Sequence, residues 1–548
     1  MYPTRELSAL VNAGLAGETD RRKLLKMAGL AAATTGIAMT LPGIAQQAAA
    51  QVEDNVFIFG SGQDMASLDP HTGYDASISW GLSATYDSLL RFEGDPLEVK
   101  PLVASEVTGS DDATVWTIKI DPAATFQDGS SVTAETVKWN FERLLTLNLG
   151  SAWMFTPIMT ADSMVVVDDQ TLEITLTNPF GPLDLILPYV YIGNPAIINE
   201  HDADGDLGAE WLISNTAGGG PYTLSRYEPG SLYQFDRNPD YWFEVPSNPN
   251  PVNTFVWRII RESSTKRLAI EAGEVQYGDN FTVEDVAALR EDGRFNVNDA
   301  GGLLTFSIKL NNQVGPTADI NVRKALTALF DTSAALAAVD NRGEVLVGPI
   351  ATAIGADWVN PELQTIPFDV EAARQYLAES AYPDGFDLEY VYVTGLATEE
   401  AFGLILLEKA AELGINITIT PLVWPDMVAR AASAETMPGA MAVYVGASYL
   451  DPDAYLWPQF HSSQAGSWAA SSWYQNEEVD AMLLEARSLV DTDARREIYN
   501  KVQQVLVDDA VEIWVYVEVA NTVWVKELGE SDMAIAGGSD IRVVSYTQ

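Results

Sequence analysis

Glu399–Leu422, EEAFGLILLEKAAELGINITITPL, reads as one turn of an α/β architecture. Its first part, Glu399 to Leu413, reads as a helix, and Gly414 supplies the residue type that ends helices. Ile415 to Leu422 then alternates β-branched and polar residues as a strand. Working outward, Asp369 caps a helix from Val370 to Ser380 that stops before Tyr382-Pro383-Asp384-Gly385. Downstream, Glu477–Val490 and Asp493–Asp508 form a helix pair, followed by the apolar strand Val511–Val519. The first half is richer in strands. Val115–Ile120 alternates as a half-buried strand, and Leu172–Leu176 is a strand closed by Asn178-Pro179. Between them Thr133 caps a helix to Leu147, with Glu135 in its first turn and Thr136 at the position of a capping-box Glu. This order predicts two α/β lobes. The last strand, arriving after the second lobe's helices, is expected to rejoin the first lobe, so that the chain crosses twice and makes a hinge.

Composition narrows the function. The chain has 548 residues, 47% hydrophobic and 20% charged, with 14 Trp, 21 Tyr and 18 Phe, so it can bury a large core. Thirty-one basic against 77 acidic side chains give a formal charge of −46, a field that repels phosphate backbones and anionic membrane surfaces. Nucleic acid is therefore not an expected partner. With no cysteine there is no disulfide, thiolate nucleophile, cysteine zinc site, iron–sulfur cluster or lipid-bearing cysteine. His71, His201 and His461 are too scattered for a His-rich metal site or a Ser-His-Asp centre. No metal or cofactor is expected.

Residues 1–50 read as an export signal. Arg21 and Arg22, followed by Lys23-Leu24-Leu25-Lys26, resemble a twin-arginine signal, the alternative being an ordinary Sec signal that holds two arginines. The stretch from Met27 to Ala45 is too mild and too broken by Pro42 to read as a membrane span, and Ala48 and Ala50 favour cleavage near Gln51. An exported, soluble, cysteine-free chain without a lipid anchor points to a periplasm.

The chemical motifs are thin. Gly218-Gly219-Gly220-Pro221-Tyr222 lacks the Lys-Ser/Thr of a phosphate loop and the spacing of a dinucleotide fold, and reads as a tight turn before the strand Tyr222–Tyr227. His201-Asp202-Ala203-Asp204-Gly205-Asp206 opens like a calcium loop, but Gly comes one position early and Ile213 stands where a Glu is needed, so a solvated turn is the better reading. No nucleophile elbow or zinc-peptidase motif is present. A carboxylate pair acting on a glycoside or peptide remains the enzymatic alternative. Trp116, Trp139 and Trp257 fall inside elements and read as core. Trp424, Trp457, Trp468 and Trp473 lie near Pro, Gly and Ser, where each reads equally as packing or as a ligand face; as a group they favour a cleft in the second lobe.

Several blocks, in order, carry a family resemblance. They are Pro101–Arg143 with Phe126-Gln127-Asp128-Gly129 and Val132–Val137; Gly218–Tyr222; Arg237-Asn238-Pro239-Asp240-Tyr241-Trp242; Lys266–Val275; Ile320–Leu326; Asp451-Pro452-Asp453; and Asn476–Asp480. This pattern resembles extracellular solute-binding protein family 5, the peptide, nickel and dipeptide receptors of ABC importers. The resemblance implies a two-lobe periplasmic-binding-protein fold (Venus-flytrap, type II, cluster C). Lobe I would span 52–300 with an extra subdomain near 90–215, lobe II 301–510, and 511–548 would return to lobe I. It implies no enzymatic activity, a monomer, a small solute such as an oligopeptide or oligosaccharide, and permease and ATPase subunits as partners. A receptor feeding a membrane sensor is an alternative of the same class. Trp424, Tyr444, Ser448, Tyr449, Asp451, Trp468 and Trp473 are the candidate ligand-binding residues. Peptide-binding relatives carry an Asp for the peptide's amino group four residues before the Pro of the Asp-Pro block; here that position is Ser448. A neutral hydroxyl cannot make the charge-assisted pair an ammonium favours, so free-amino dipeptides are expected to bind weakly unless Asp451, Asp453 or another acid reaches the same point.

Overall fold

The computed structural model describes residues 55–73, 76–94, 97–246, 248–299, 301–528 and 540–546. The expected export signal, with Arg21 and Arg22, lies outside the described residues. Two large sheets organise the rest. The first has seven strands in the order Tyr222–Glu228, Leu232–Arg237, Thr254–Ile259, Val56–Ser61, Tyr277–Gly278, Val523–Val525, Phe295–Val297. The second has six, in the order Gly343–Val345, Glu512–Glu518, Leu304–Leu310, Ala440–Gly446, Asp387–Val393, Asn416–Leu422. A four-stranded antiparallel sheet lies between residues 104 and 175, covered by the helix Ala134–Leu147.

Local signals place the elements as expected. Thr133 accepts the backbone N–H of Thr136, Asp369 accepts those of Glu371 and Ala372, and Gly414 takes the left-handed conformation at φ 78°. The quoted unit is the helix Ala397–Ala410 with a 3-10 turn to Leu413, then the strand Asn416–Leu422, parallel to Asp387–Val393. The strand expected at Val511–Val519 differs in its destination. Glu512–Glu518 pairs with Leu304–Leu310 and Gly343–Val345, inside the second sheet. The chain leaves that sheet after Glu518, and the return to the first sheet is Val523–Val525. An almost wholly apolar strand is suited to burial on both faces, and nothing local says which sheet will bury it.

The second sheet is built around Leu304–Leu310. One face carries Phe306, Ile308 and Leu310 into a core with Phe402, Leu406 and Tyr390. The other carries Thr305, Ser307 and Lys309, all buried. Lys309 Nζ lies 2.5 Å from Glu512 Oε1 and 2.6 Å from Gln459 Oε1, and Ser307 Oγ donates to Glu512 Oε2 at 2.7 Å. Both charges are fully buried, and burial pushes the Lys309 pKa down against the pull of Glu512. A buried pair of this kind is intolerant of losing one member. Lys309→Met is expected to cost about 3–5 kcal/mol in urea unfolding, while Lys309→Met with Glu512→Leu recovers most of that loss because no uncompensated charge remains.

Candidate functional site

The motif residues turn out to be framework. Arg143 grips buried Asp69 with two hydrogen bonds, 2.8 and 2.7 Å, and also reaches His71 Nδ1 and the Leu207 carbonyl. Burial, with Arg143 beside it, holds His71 down to about 4, so the ring stays neutral. Gln127 donates to the carbonyls of Gly220 and Tyr222. A Cβ on Gly218 would fall 2.1 Å from the Thr85 carbonyl oxygen, so the glycine turn is required by close backbone approach. Arg323 caps the carbonyls of Thr317, Ala318, Asp509 and Ala510. In the calcium-like stretch, Asp202 and Asp206 spend their carboxylates on the backbone N–H groups of Ala203, Leu207, Gly208 and Glu210.

The two sheets meet end to end. The C-terminal ends of Val56–Ser61, Thr254–Ile259 and Tyr277–Gly278 lie together on the first lobe, since these strands run parallel. Those of Asp387–Val393, Asn416–Leu422 and Ala440–Gly446 lie together on the second. This is where α/β sheets bind ligands. The described residues of the two passes between lobes are 298–299 with 301–303 and 519–522, and the passes are bonded to one another. Asn298 N–H donates to Thr522 O at 3.0 Å, Asn298 Nδ2 to Ala520 O at 3.2 Å, and Gly302 N–H to Glu518 O at 2.9 Å. Arg342 clips both passes, donating to Asn521 Oδ1 and to Asn298 O.

The lobes also touch away from these passes. Gly181 N–H donates to Arg487 O at 2.7 Å, Phe180 meets the Tyr449 ring edge-on, and the Arg487 guanidinium lies over Phe180. A Cβ on Gly181 would sit 1.8 Å from Leu489 O, so the backbones are in direct contact. Asp184, on the same loop, faces Arg495 and Asp451; burial pushes its carboxyl up to about 6, with Arg495 opposing. The arrangement is a shut one.

The predicted site residues separate into two groups. Tyr449, Asp451 and Trp473 belong to the framework. Asp451 is fully buried, accepting from Arg495 at 2.6 Å, and Tyr449 is buried with its hydroxyl on Asp453 at 2.5 Å. Trp473 donates its indole N–H to the Ala431 carbonyl and packs on the core. Trp457, read as a loop residue, lies inside the helix Asp453–Phe460 beneath Arg487 and against His461. Trp424 and Trp468 stay exposed and pack edge to face, centroids 5.3 Å apart, Trp424 opening the helix Trp424–Ala431 just past a strand end. Tyr444 is half-buried on the last turn of its strand, its hydroxyl 2.9 Å from that of Tyr516. Ser448 is half-buried, two residues beyond Gly446.

Two acids escaped the sequence reading. Glu399 is buried with Oε2 accepting the Val393 N–H at 2.7 Å, and Glu518 lies at the hinge end of its strand. Both act electrostatically on Tyr444 and Tyr516. Their signal, a carboxylate without a cation, exists only in three dimensions.

Two α/β lobes, joined by paired crossing segments and shut over the ends of their strands, define a solute-capturing binding protein rather than a catalytic centre. Residues 98–467 match the family described as Bacterial extracellular solute-binding proteins, family 5 Middle, and the chain belongs to that family. It is 28% identical over 479 residues to the Probable D,D-dipeptide-binding periplasmic protein DdpA of Escherichia coli K12, covering 85% of this chain and 89% of that one. It is 26% identical over 497 residues to heme-binding protein A of Haemophilus influenzae, covering 85% and 88%. Among solved structures, HbpA2 of Haemophilus parasuis superposes with a TM-score of 0.80 at 22% identity, covering 90% of this chain and all of the other. The family consists of binding proteins, so the carboxylate-pair hydrolase reading falls away.

Burial raises the Glu399 pKa from 4.5 to about 7, the Val393 N–H opposing. A native-state pKa above the ordinary value means the fold binds this proton more tightly than the unfolded chain does. The resulting stability is present below pH about 4.5 and is lost as pH rises to about 7, an effect of about 1–3 kcal/mol. Glu399→Gln keeps an acceptor for Val393 and removes the titration. Melting curves from pH 4.5 to 8 should show a flatter profile for the variant, with a higher Tm than the parent at pH 8.

Proposed function

We propose that this protein is the exported receptor of an ABC importer, capturing a small polar solute of peptide size between its lobes and presenting the shut form to permease and ATPase subunits. The observation that carries the reading is the pair of bonded crossing segments together with a second, separable contact at Phe180–Gly181. A hinge with a remote latch gives two states, and a solute touching both lobes favours the shut one because only there are both sets of contacts made. The relatives' names, one a D,D-dipeptide receptor and one a heme receptor, support a solute of this size without choosing between peptide and macrocycle. Among the described residues no helix is long and apolar enough to cross a membrane. Export as a monomer into a periplasm, with Arg21 and Arg22 marking a twin-arginine signal, completes the proposal.

The absence of native cysteine makes closure directly measurable. Spin labels at Asp162→Cys and Leu484→Cys, on exposed positions of the subdomain and second lobe, report the gap. Protein stripped of solute by unfolding and refolding should give a broad, longer distance distribution that narrows and shortens on addition of a di- and tripeptide panel or hemin. Identical distributions throughout would reject the receptor reading.

Trp424 and Trp468 offer aromatic faces beside the cleft. Trp424→Ala and Trp468→Ala should each weaken solute binding about 3- to 10-fold in calorimetry, the scale of one aromatic contact, with Tm unchanged. A fall in Tm with unaltered affinity would make them packing residues. For export, Arg21→Lys with Arg22→Lys keeps the charge and removes both guanidinium groups. Precursor should then accumulate in the cytoplasm; undiminished periplasmic yield would assign the signal to the Sec route.

A further inference from the structure

A cavity of about 490 Å³ lies between the lobes at the crossing segments. Asn280 and Phe281 line it from the first lobe, and Leu304, Gly446 and Glu518 from the second. The second-lobe residues form one row across three adjacent strands. Leu304 pairs with Gly446, and Thr305 with Val517, which brings Glu518 beside Leu304. The next row on the same face is Tyr444, Phe306 and Tyr516, with the two tyrosine hydroxyls joined. Gly446 adds no side chain to this row, whose middle position is the exposed Leu304.

Glu518 is the anomaly in this wall. Its backbone carbonyl is used by Gly302, but its carboxylate makes no ion pair or hydrogen bond among the described residues. Burial alone raises its pKa, with no cation opposing. Arg342, which clips the two crossing segments, is turned to Asn521 and Asn298. The two acids that stand in the Asp-Pro block cannot substitute, because Asp451 is held by Arg495 and Asp453 by Arg487. Glu518 is half-buried, and a partly desolvated carboxylate without a cation carries a cost that a cation brought by a ligand offsets in the loaded state only.

We propose that Glu518 is the acceptor for a primary ammonium group of the captured solute, seated in the hinge cavity beside the Tyr444–Tyr516 hydroxyl pair. The assignment rests on the receptor reading and narrows it to solutes with a cationic nitrogen, for which the −46 charge of the chain is an attractive field. It also supplies what Ser448 lacks: the anionic partner reaches the site from the strand after the helix pair rather than from the Asp-Pro loop. Because Glu518 spans the point where the chain leaves the second lobe, an ammonium on it lies against both crossing segments and favours the shut state.

The test is calorimetry with L-alanyl-L-alanine and D-alanyl-D-alanine and their N-acetyl forms, on refolded protein. At least one free-amine dipeptide should bind, with acetylation costing about 30-fold or more in affinity. Glu518→Gln should remove most of that discrimination, and Glu518→Asp should restore part of it. Without solute, Glu518→Gln should melt at or above the parent's Tm, since the variant removes an unpaired charge; this separates loss of the site from loss of the fold. Equal binding of free and acetylated forms, unchanged discrimination in Glu518→Gln, or no binding of either free-amine dipeptide would overturn the assignment. The spin-label experiment decides the receptor reading independently, because narrowing with hemin or a blocked peptide would sustain the receptor while this site fails.

Discussion

Everything in this molecule turns on the bonding of one crossing segment to the other. Asn298 spends both its backbone N–H and its side-chain amide on the returning segment, at Thr522 and Ala520, and Gly302 adds a bond to Glu518. Two segments bonded in register resist shear and twist but still permit bending, which is what two rigid sheets need in order to close along a defined path. The sheets themselves are stiff for ordinary reasons: a close-packed aromatic core against each, and in the second lobe a buried Lys309–Glu512 pair that penalises any rearrangement separating the two.

From that constraint follows a division of labour along the chain. The blocks that make the family visible are occupied inside the framework: Arg143 and Arg323 hold carboxylate and carbonyl oxygens, Gly218 admits the Thr85 carbonyl, and Asp451 and Asp453 hold arginines. Between them, on strand ends and loops, lie the Trp424–Trp468 pair, Tyr444 and the hinge cavity with Glu518, the surfaces proposed above for a solute. A receptor of this design can change its ligand without disturbing its fold, which agrees with relatives of similar identity bearing names as different as dipeptide and heme receptors.

The same division explains what could be read from sequence. Helix caps at Thr133 and Asp369 and the stop at Gly414 are local chemistry, so they were legible, and the α/β character followed from them. Strand Glu512–Glu518 was legible as a strand but not as a member of the second sheet, because an apolar run carries no address. Asp451 is a candidate ligand residue through its motif block; in the structure its carboxylate is buried against Arg495, which comes from a helix 44 residues later. Glu518 was invisible for the converse reason. An acid in a sequence with 77 acids attracts no notice until its lack of a partner is seen.

The way the chain is threaded also sets the order in which it can be made. All six strands of the second sheet fall between residues 304 and 518, so that lobe is complete once its own segment has left the ribosome. The first sheet is not: Val523–Val525 sits in its interior, Arg542 binds Asp87 from 455 residues away, and the Tyr546 hydroxyl donates to Val56 O on the opening strand. The half of the protein synthesised first is thus the half finished last. At roughly 5–20 residues per second its strands wait tens of seconds for their missing neighbour, with an unfilled slot in the sheet throughout. Completion of the first lobe therefore waits on Val523–Val525, Arg542 and Tyr546, all made after every strand of the second.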